Sequence, residues 1–357
     1  MDREAEVDYT DEVVPVRSHI TDGDLIFSWS GTLASIIWDR GPALLNQHLF
    51  KVTERPGATR GWLHLALDHA VESLLEKSHG TTMKHVTKGV LEAHKVSLPP
   101  LPVQRRIVDL MAHLDNQIAN LRLERKAALN FHQASKATLL VAADDWLSGV
   151  VDDFIRIRVG FPFKSGLFTE SEEDVHLLRG DNIEPGGLRW LRAKRWPVQM
   201  LSEVATYLLD AGDVVIAMDR TWISSGLKVA VVSEADLPAL LVQRVARLTA
   251  KEHLLQELVP FYFDSPQFEN LVRHEQTGTS VPHISAKQIG SMQMSIPSDF
   301  LEQTRIAKLL SDSRSHVDAL ESEAAALAHV RRNLLAGLLA GQLAVDEGYD
   351  LLLDGVA

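Results

Sequence analysis

The sequence predicts an α+β protein in which two globular α/β segments are separated by two long antiparallel helices forming an intramolecular coiled coil, with a pseudo-two-fold repeat. Three observations carry this expectation. A stretch from His79 to about Leu140 returns near the C-terminus from Gln276 onward. Each copy ends in a long apolar seam of helical spacing. Between the seams lies a block of β-rich runs and turn residues.

The repeat keeps its register. Gly80, Thr81, His85 and Pro99 answer Gly278, Thr279, His283 and Pro297 at an offset of 198. One inserted residue later, Arg106, Ile107, Leu110 and Leu121 answer Arg305, Ile306, Leu309 and Leu320 at an offset of 199. A period this long marks duplicated domains rather than a solenoid of short repeats.

Residues 1–97 form the first mixed segment. Asp24-Leu-Ile-Phe-Ser-Trp29 and Ser35-Ile-Ile-Trp38 sit between Gly23, Gly31 and Gly41 and predict strands joined by turns. Leu63, Leu67, Ala70, Val71 and Leu74 predict a helix over 62–75. Residues 98–149 form the first rod. Pro99 and Pro100 break local structure, and Pro102 suits a first helical position. Its seam runs Ile107, Leu110, Leu114, Ile118 and Leu121, weakens to Ala128 and returns at Leu139.

The second mixed segment, 150–297, predicts strands at 153–159, 213–218 and 227–232, with a capping box of Ser285 and Gln288 opening a helix. The second rod, 298–343, is capped by Asp299-Phe-Leu-Glu302 and has the seam Ile306, Leu309, Val317, Leu320, Ala324, Leu327, Leu334 and Leu338. An acidic tail, 344–357, follows. The rods can bury their seams on each other, on their own globular segments or on another chain. Mutual pairing is the favoured expectation, since six Leu or Ile side chains bury roughly 10–18 kcal/mol gross.

The chain of 357 residues exceeds what one core serves, and 45% hydrophobic residues suffice for more than one. With no cysteine, disulfides and thiolate metal sites are excluded, in keeping with a reducing cytoplasm. No apolar run suits a bilayer span, and the acidic start MDREAEVDYTDE is unlike a signal peptide. The formal net charge of −12 argues on its face against a polyanionic partner, but binding depends on where charges sit. Basic residues gather between Arg179 and Arg195, including Arg189, Arg192 and Lys194.

The chain carries no constellation for catalysis. No Asn/Asp-Pro-Pro-Tyr/Phe word, Gly-rich cofactor loop or Gly-x-x-x-x-Gly-Lys-Ser/Thr loop occurs, and Glu124-Arg-Lys126 falls on a predicted solvated helix face. Fifteen histidines are scattered without a His-Glu-x-x-His pair, so no metal and no cofactor is expected. His85 and His283 occupy equal repeat positions before helix starts, as packing or capping groups or as contacts to a nucleic-acid backbone.

This plan resembles the specificity subunits of type I restriction–modification systems. The words that carry the resemblance are Gly160-Phe-Pro-Phe-Lys-Ser-Gly-Leu-Phe168, Leu178-Arg-Gly-Asp-Asn-Ile183, Gly278-Thr-Ser-Val-Pro-His-Ile-Ser-Ala-Lys287 and Leu98-Pro-Pro-Leu-Pro-Val-Gln-Arg-Arg-Ile107. It implies two target recognition domains that each read half of a bipartite double-stranded DNA sequence, with the rods as spacer and as docking surface for two methyltransferase (modification) subunits. Restriction subunits join through the complex, and the specificity subunit itself catalyses nothing. Exposed loop groups of the C-terminal domain are then the candidate DNA contacts: Lys164, Arg179, Asn182, Arg220, Lys228, Arg244 and Lys287.

The first domain departs from the pattern. Gly23-Asp24 aligns with Gly212-Asp213, so the first copy lacks about forty residues of the second, including any counterpart of Gly160–Phe168. A late assigned start, a shortened gene or completion by another chain each accounts for this. A truncated subunit acting only in methyltransferase assembly is the alternative function.

Overall fold

The computed structural model describes residues 9–350 apart from 12, 30–31, 77–88, 90–92 and 276–282. His85, Gly80, Thr81, Gly278 and Thr279 lie outside the described residues, as do the ends of the acidic tails. The chain divides into two compact units, one of residues 1–123 and 320–357, the other of 124–319. The division falls inside both long helices, so each helix contributes to both units.

Unit 1 opens with strands β1 (Leu25–Ser28), β2 (Ala34–Ile37) and β3 (Leu49–Val52), paired antiparallel in the order β2-β1-β3. The central strand is the most buried of the three, with all four of its residues inside. Helix α1 (Arg60–Glu76) follows, at the position the apolar spacing predicts. It buries Trp62 and Leu65 with Ile107, Met111, Leu335 and Leu338 of the long helices.

The first long helix, α2 (Leu101–Leu139), starts directly after the two prolines, which deny the donors an earlier turn would need. Unit 2 continues with β4 (Leu147–Val150), β5 (Ile155–Val159), β6 (Val175–Leu178), β7 (Arg195–Trp196), β8 (Val214–Ala217), β9 (Val229–Val231), β10 (Ala239–Leu241) and β11 (Val245–Ala250). Asp153 and Phe154, expected in a strand, instead lie in a helical turn over Val151–Phe154, because the Asp153 carboxylate accepts from Val150 N at 2.8 Å.

Helices α3 (Pro266–Glu275) and α4 (Ala286–Gly290), strand β12 (Gln293–Ile296) and the second long helix α5 (Phe300–Leu339) complete the chain. The expected capping box is present: Ser285 Oγ accepts from Gln288 N, and Gln288 Oε1 accepts from Ser285 N at 3.0 Å. The principal sheet of unit 2 is fully antiparallel in the order β9-β8-β11-β5. A second sheet, β7-β6-β10, places β10 parallel to β6, and β12 pairs β4.

Within each unit the long helices run antiparallel. In unit 1 Arg331 Nη2 donates to Asp115 Oδ2 at 2.8 Å, while Ile107 and Met111 pack with Leu335 and Leu338. In unit 2 His132 Nδ1 meets Ser313 Oγ at 2.7 Å. The seam differs from expectation at Leu334, which is only partly buried beside a buried Leu335, and at a position that recurs in both copies. Leu309 is exposed and Leu310 buried, and in the first copy Met111 is fully buried where Leu110 is only partly so. Each seam steps by four residues from its isoleucine at that point, not by three, which turns the neighbouring leucine toward solvent.

A repeated pair that the seams do not contain anchors both helix starts. Gln104 and Gln303 are each 0% exposed. Gln104 donates to Gly57 O at 2.7 Å and Pro99 O at 2.8 Å, and its Oε1 accepts from Thr59 N at 2.8 Å. Gln303 donates to His253 O at 2.7 Å and Pro297 O at 2.8 Å and accepts from Leu255 N at 2.8 Å. One amide thus satisfies three backbone groups of a loop that would otherwise be buried without partners.

Candidate nucleic-acid interface

Unit 2 has a cleft of about 400 Å³ lined by Arg179, Gly180, Asp181, Asp219, Arg220, Lys228, Gln243 and Arg244. Strand ends build it. Arg179 follows β6, Asp219 and Arg220 follow β8, and Gln243 and Arg244 occupy the turn between β10 and β11. Three guanidinium groups therefore converge from three strand ends, against two carboxylates.

Two of these arginines hold a backbone conformation that L-residues seldom adopt. Arg220 has φ 47° and Arg244 φ 72°. Such positions cost of order 1–3 kcal/mol and persist where the surroundings over-determine them. The surroundings here include Met218 N donating to Arg244 O at 2.9 Å and Ile284 N donating to Met218 O at 2.9 Å. The chain is held where it aims charged side chains.

His283 fixes the rim. Its Nδ1 lies 2.8 Å from Asp219 Oδ1 and 3.1 Å from Met218 O, and Arg244 Nη1 lies 3.0 Å from its Nε2. Guanidinium nitrogens only donate, so Nε2 is the acceptor and Nδ1–H the donor to Asp219. The ring thereby orients Arg244. Arg179 is loosely paired with Asp181 at 3.6 Å. Arg220 is exposed and has no partner among the described residues.

Four of the seven expected contact residues, Arg179, Arg220, Lys228 and Arg244, line this cleft. Two of the seven are not the exposed groups that were expected. Lys228 is 7% exposed, and its ammonium donates to Gly180 O; burial lowers its pKa. Asn182, also 7% exposed, accepts from Arg179 N at 3.0 Å and donates to Arg189 O at 3.1 Å. Both tie down the turn that carries Arg179, because a buried polar group needs its partners close by. Lys164 and Lys287 are exposed and lie outside the cleft.

The basic run toward Arg195 is largely spoken for. Arg189 pairs with Glu184 at 3.0 Å and Lys194 with Glu170 at 2.5 Å. Arg195 Nη1 donates to Glu172 O and Asp174 O at 3.0 and 2.9 Å. Gly160 has an architectural role, since a Cβ there would sit 2.4 Å from the Val242 backbone. Positive φ at Arg220 and Arg244 has no signature in residue type, so the sequence could not single these two out from other basic loop residues.

Residues 18–130 match the family profile described as the type I restriction modification DNA specificity domain. The chain is 23% identical over 344 residues to the type I restriction enzyme MjaVIII specificity subunit of Methanocaldococcus jannaschii, a match covering 91% of this chain and 80% of that protein. It is 37% identical over 131 residues to the EcoAI specificity subunit of Escherichia coli, across 36% of this chain and 22% of that protein. Among solved structures it is similar in fold to the type I restriction–modification S subunit from M. genitalium. That likeness has a TM-score of 0.56 at 12% identity and covers 89% of this chain and 83% of the other.

Proposed function

Because the chain belongs to the specificity subunits of type I restriction–modification systems, we propose that unit 2 reads one half of a bipartite double-stranded DNA target through the cleft of Arg179, Arg220 and Arg244. The chain is a recognition subunit rather than an enzyme. The observation that carries the reading is the convergence of three arginines from three strand ends, two of them at positive φ. Arginine can bridge guanine O6 and N7 in the major groove with paired hydrogen bonds, a geometry that lysine does not offer.

The roles within the site differ. Arg220, free of partners among the described residues, is the first candidate for a base edge. Arg244, oriented by His283 and Asp219, is the second. Lys164 and Lys287 serve as phosphate contacts, whereas Asn182 and Lys228 hold the cleft from within. The long helices are the docking surface for the type I methyltransferase subunits, and restriction subunits join through that complex in the cytoplasm. Domains at 1–97 and 150–297 with rods at 98–149 and 298–343 are the units of this assembly.

Footprinting of the chain with its methyltransferase partner tests the reading. Protection of one split sequence is expected. Arg220→Ala should weaken specific binding by roughly 1–3 kcal/mol and relax the preference at one base pair. Lys287→Ala should weaken binding to all sequences alike and lower the salt slope by about 1. Binding without sequence preference at every salt concentration overturns the proposal.

A further inference from the structure

The turn between β10 and β11 is clamped from two sides. Val245 N donates to Val242 O at 3.1 Å and closes it, with Gln243 and Arg244 at the tip. Gly160 and Phe161 lie flush against it. Gly160 N donates to Val245 O at 3.0 Å, Phe161 N to Leu241 O at 3.0 Å, and Gln243 N to Phe161 O at 2.8 Å. On the other side Met218 N, donating to Arg244 O at 2.9 Å, joins this turn to the one that carries Arg220.

The side chains of the cleft divide into those already engaged and those that are not. Arg179 and Asp181 face each other at 3.6 Å, Asp219 and Arg244 share His283, and Lys228 donates to Gly180 O. Of the polar side chains lining the cleft, only the Arg220 guanidinium and the Gln243 carboxamide have no partner among the described residues, and both residues are exposed. The main chain of Gln243 is already fixed, so a ligand that engages its amide has only the side chain left to order.

We propose that Gln243 is a specificity-determining residue that reads an adenine in the half-site of unit 2. This rests on the reading of the cleft as a DNA-recognition site and adds to it a base that arginine does not select. A carboxamide presents an acceptor and a donor in one plane, the complement of the adenine edge in the major groove: Oε1 accepts from N6 and Nε2 donates to N7. A guanidinium has donors alone and selects guanine. Gln243 and Arg220, on adjoining turns, thus call for an adenine as well as a guanine, where the arginines alone would specify only guanines.

Selection from a randomised DNA pool by the full-length chain with its methyltransferase partner reads the preference at every base pair. Gln243→Ala is expected to relax one adenine position roughly 10- to 100-fold, with the other positions and the salt slope unchanged, because no phosphate contact is lost. Gln243→Glu keeps the shape of the side chain but only accepts, so the preference there should pass from adenine to cytosine, whose N4 donates. The unaltered complex supplies a readout that needs no variant. Placing 7-deazaadenine, which lacks the N7 acceptor, at that position should weaken its binding roughly fivefold, the loss of one hydrogen bond, and should not weaken Gln243→Ala further. A parent chain without any sequence preference overturns the reading of the cleft, and this proposal with it. A parent chain with a defined split sequence whose adenine preferences survive in both variants, or an equal 7-deazaadenine loss in parent and Gln243→Ala, overturns the role of Gln243 alone.

Discussion

The turn at Thr21–Asp24 and the turn at Asp210–Asp213 are built from the same hydrogen bonds and sit in different surroundings. Asp24 Oδ2 accepts from Thr21 N at 2.9 Å, and Asp213 Oδ2 accepts from Asp210 N at 2.9 Å. Gly23 and Gly212 hold φ 86° and 89°, conformations that glycine adopts at little cost. Lys51 reaches Asp24 and His19 O where Arg247 reaches Asp213 and Leu208 O. Around these copies unit 2 adds β5 and a three-stranded second sheet, where the described residues of unit 1 show only a two-stranded pairing of His19–Ile20 with Ala43–Leu44. The comparison teaches that the turn, the ion pair and the glutamine socket are the part both copies share. The arginine cleft draws on the shared sheet through the ends of β8 and β11 and on the further strands of unit 2 through β6 and β10.

The sharpest way to break this comparison is at the glutamine sockets. Gln303→Ala leaves Leu255 N, His253 O and Pro297 O without the partner they have now. Each unsatisfied buried group costs about 1–3 kcal/mol, so a loss of roughly 3–5 kcal/mol is expected. Gln104→Ala should cost a similar amount, since it strands Thr59 N, Gly57 O and Pro99 O. Denaturant unfolding followed by amide exchange in each unit measures both. A Gln104→Ala variant that unfolds like the parent would show that the first socket is not the equal of the second.

The helix pairs offer a second contrast. At an offset of 199, Arg331 stands in the place of His132, and Arg314 in that of Asp115. Unit 1 therefore joins its helices with an ion pair, and unit 2 with a neutral bond between His132 and Ser313. Burial first, with the nearby Lys136 and Arg314 adding to it, pushes the His132 pKa from 6.5 down to about 4. The unfolded chain thus takes up a proton at a higher pH than the folded chain. The contribution of this residue is complete above pH 6.5 and is lost as pH falls toward 4, by up to about 3 kcal/mol. His132→Gln should flatten the stability profile across that window. An unchanged profile would mean the ring is not held neutral by its surroundings.

Much of this architecture was legible in the sequence. The repeat offsets, the proline-led helix starts, the Ser285–Gln288 cap and the kinship of Gly23-Asp24 with Gly212-Asp213 depend on local rules and appear as residue types at fixed spacing. Gln104 and Gln303 also answer each other at 199, but polar residues among apolar seams are assigned to solvent unless their partners are known. Apart from Pro99 and Pro297, those partners lie 45 to 50 residues away in sequence. The Leu309–Leu310 step escaped because both residues are leucine. The cleft escaped in part for a similar reason: burial of Lys228 and Asn182 depends on tertiary closure, and a basic residue in a loop carries no sign of which way it turns.

The smallest effect separates the two copies of the ion pair at the turn. Arg247 and Asp213 are 16% and 17% exposed in their side chains, whereas Lys51 is 32% exposed beside Asp24 at 13%. The hydrogen bonds from Lys51 and from Thr21 N hold the Asp24 carboxyl below the usual carboxylate range. Arg247→Met removes the more enclosed of the two cations from its carboxylate and frees Leu208 O, so a cost of roughly 1–2 kcal/mol is expected. Lys51→Met removes a cation that is already twice as exposed and leaves Asp24 with Thr21 N, for less than about 1 kcal/mol. Denaturant unfolding of Lys51→Met beside Arg247→Met measures the difference, and equal losses would show that the extra enclosure of the Arg247 cation adds nothing to the pair.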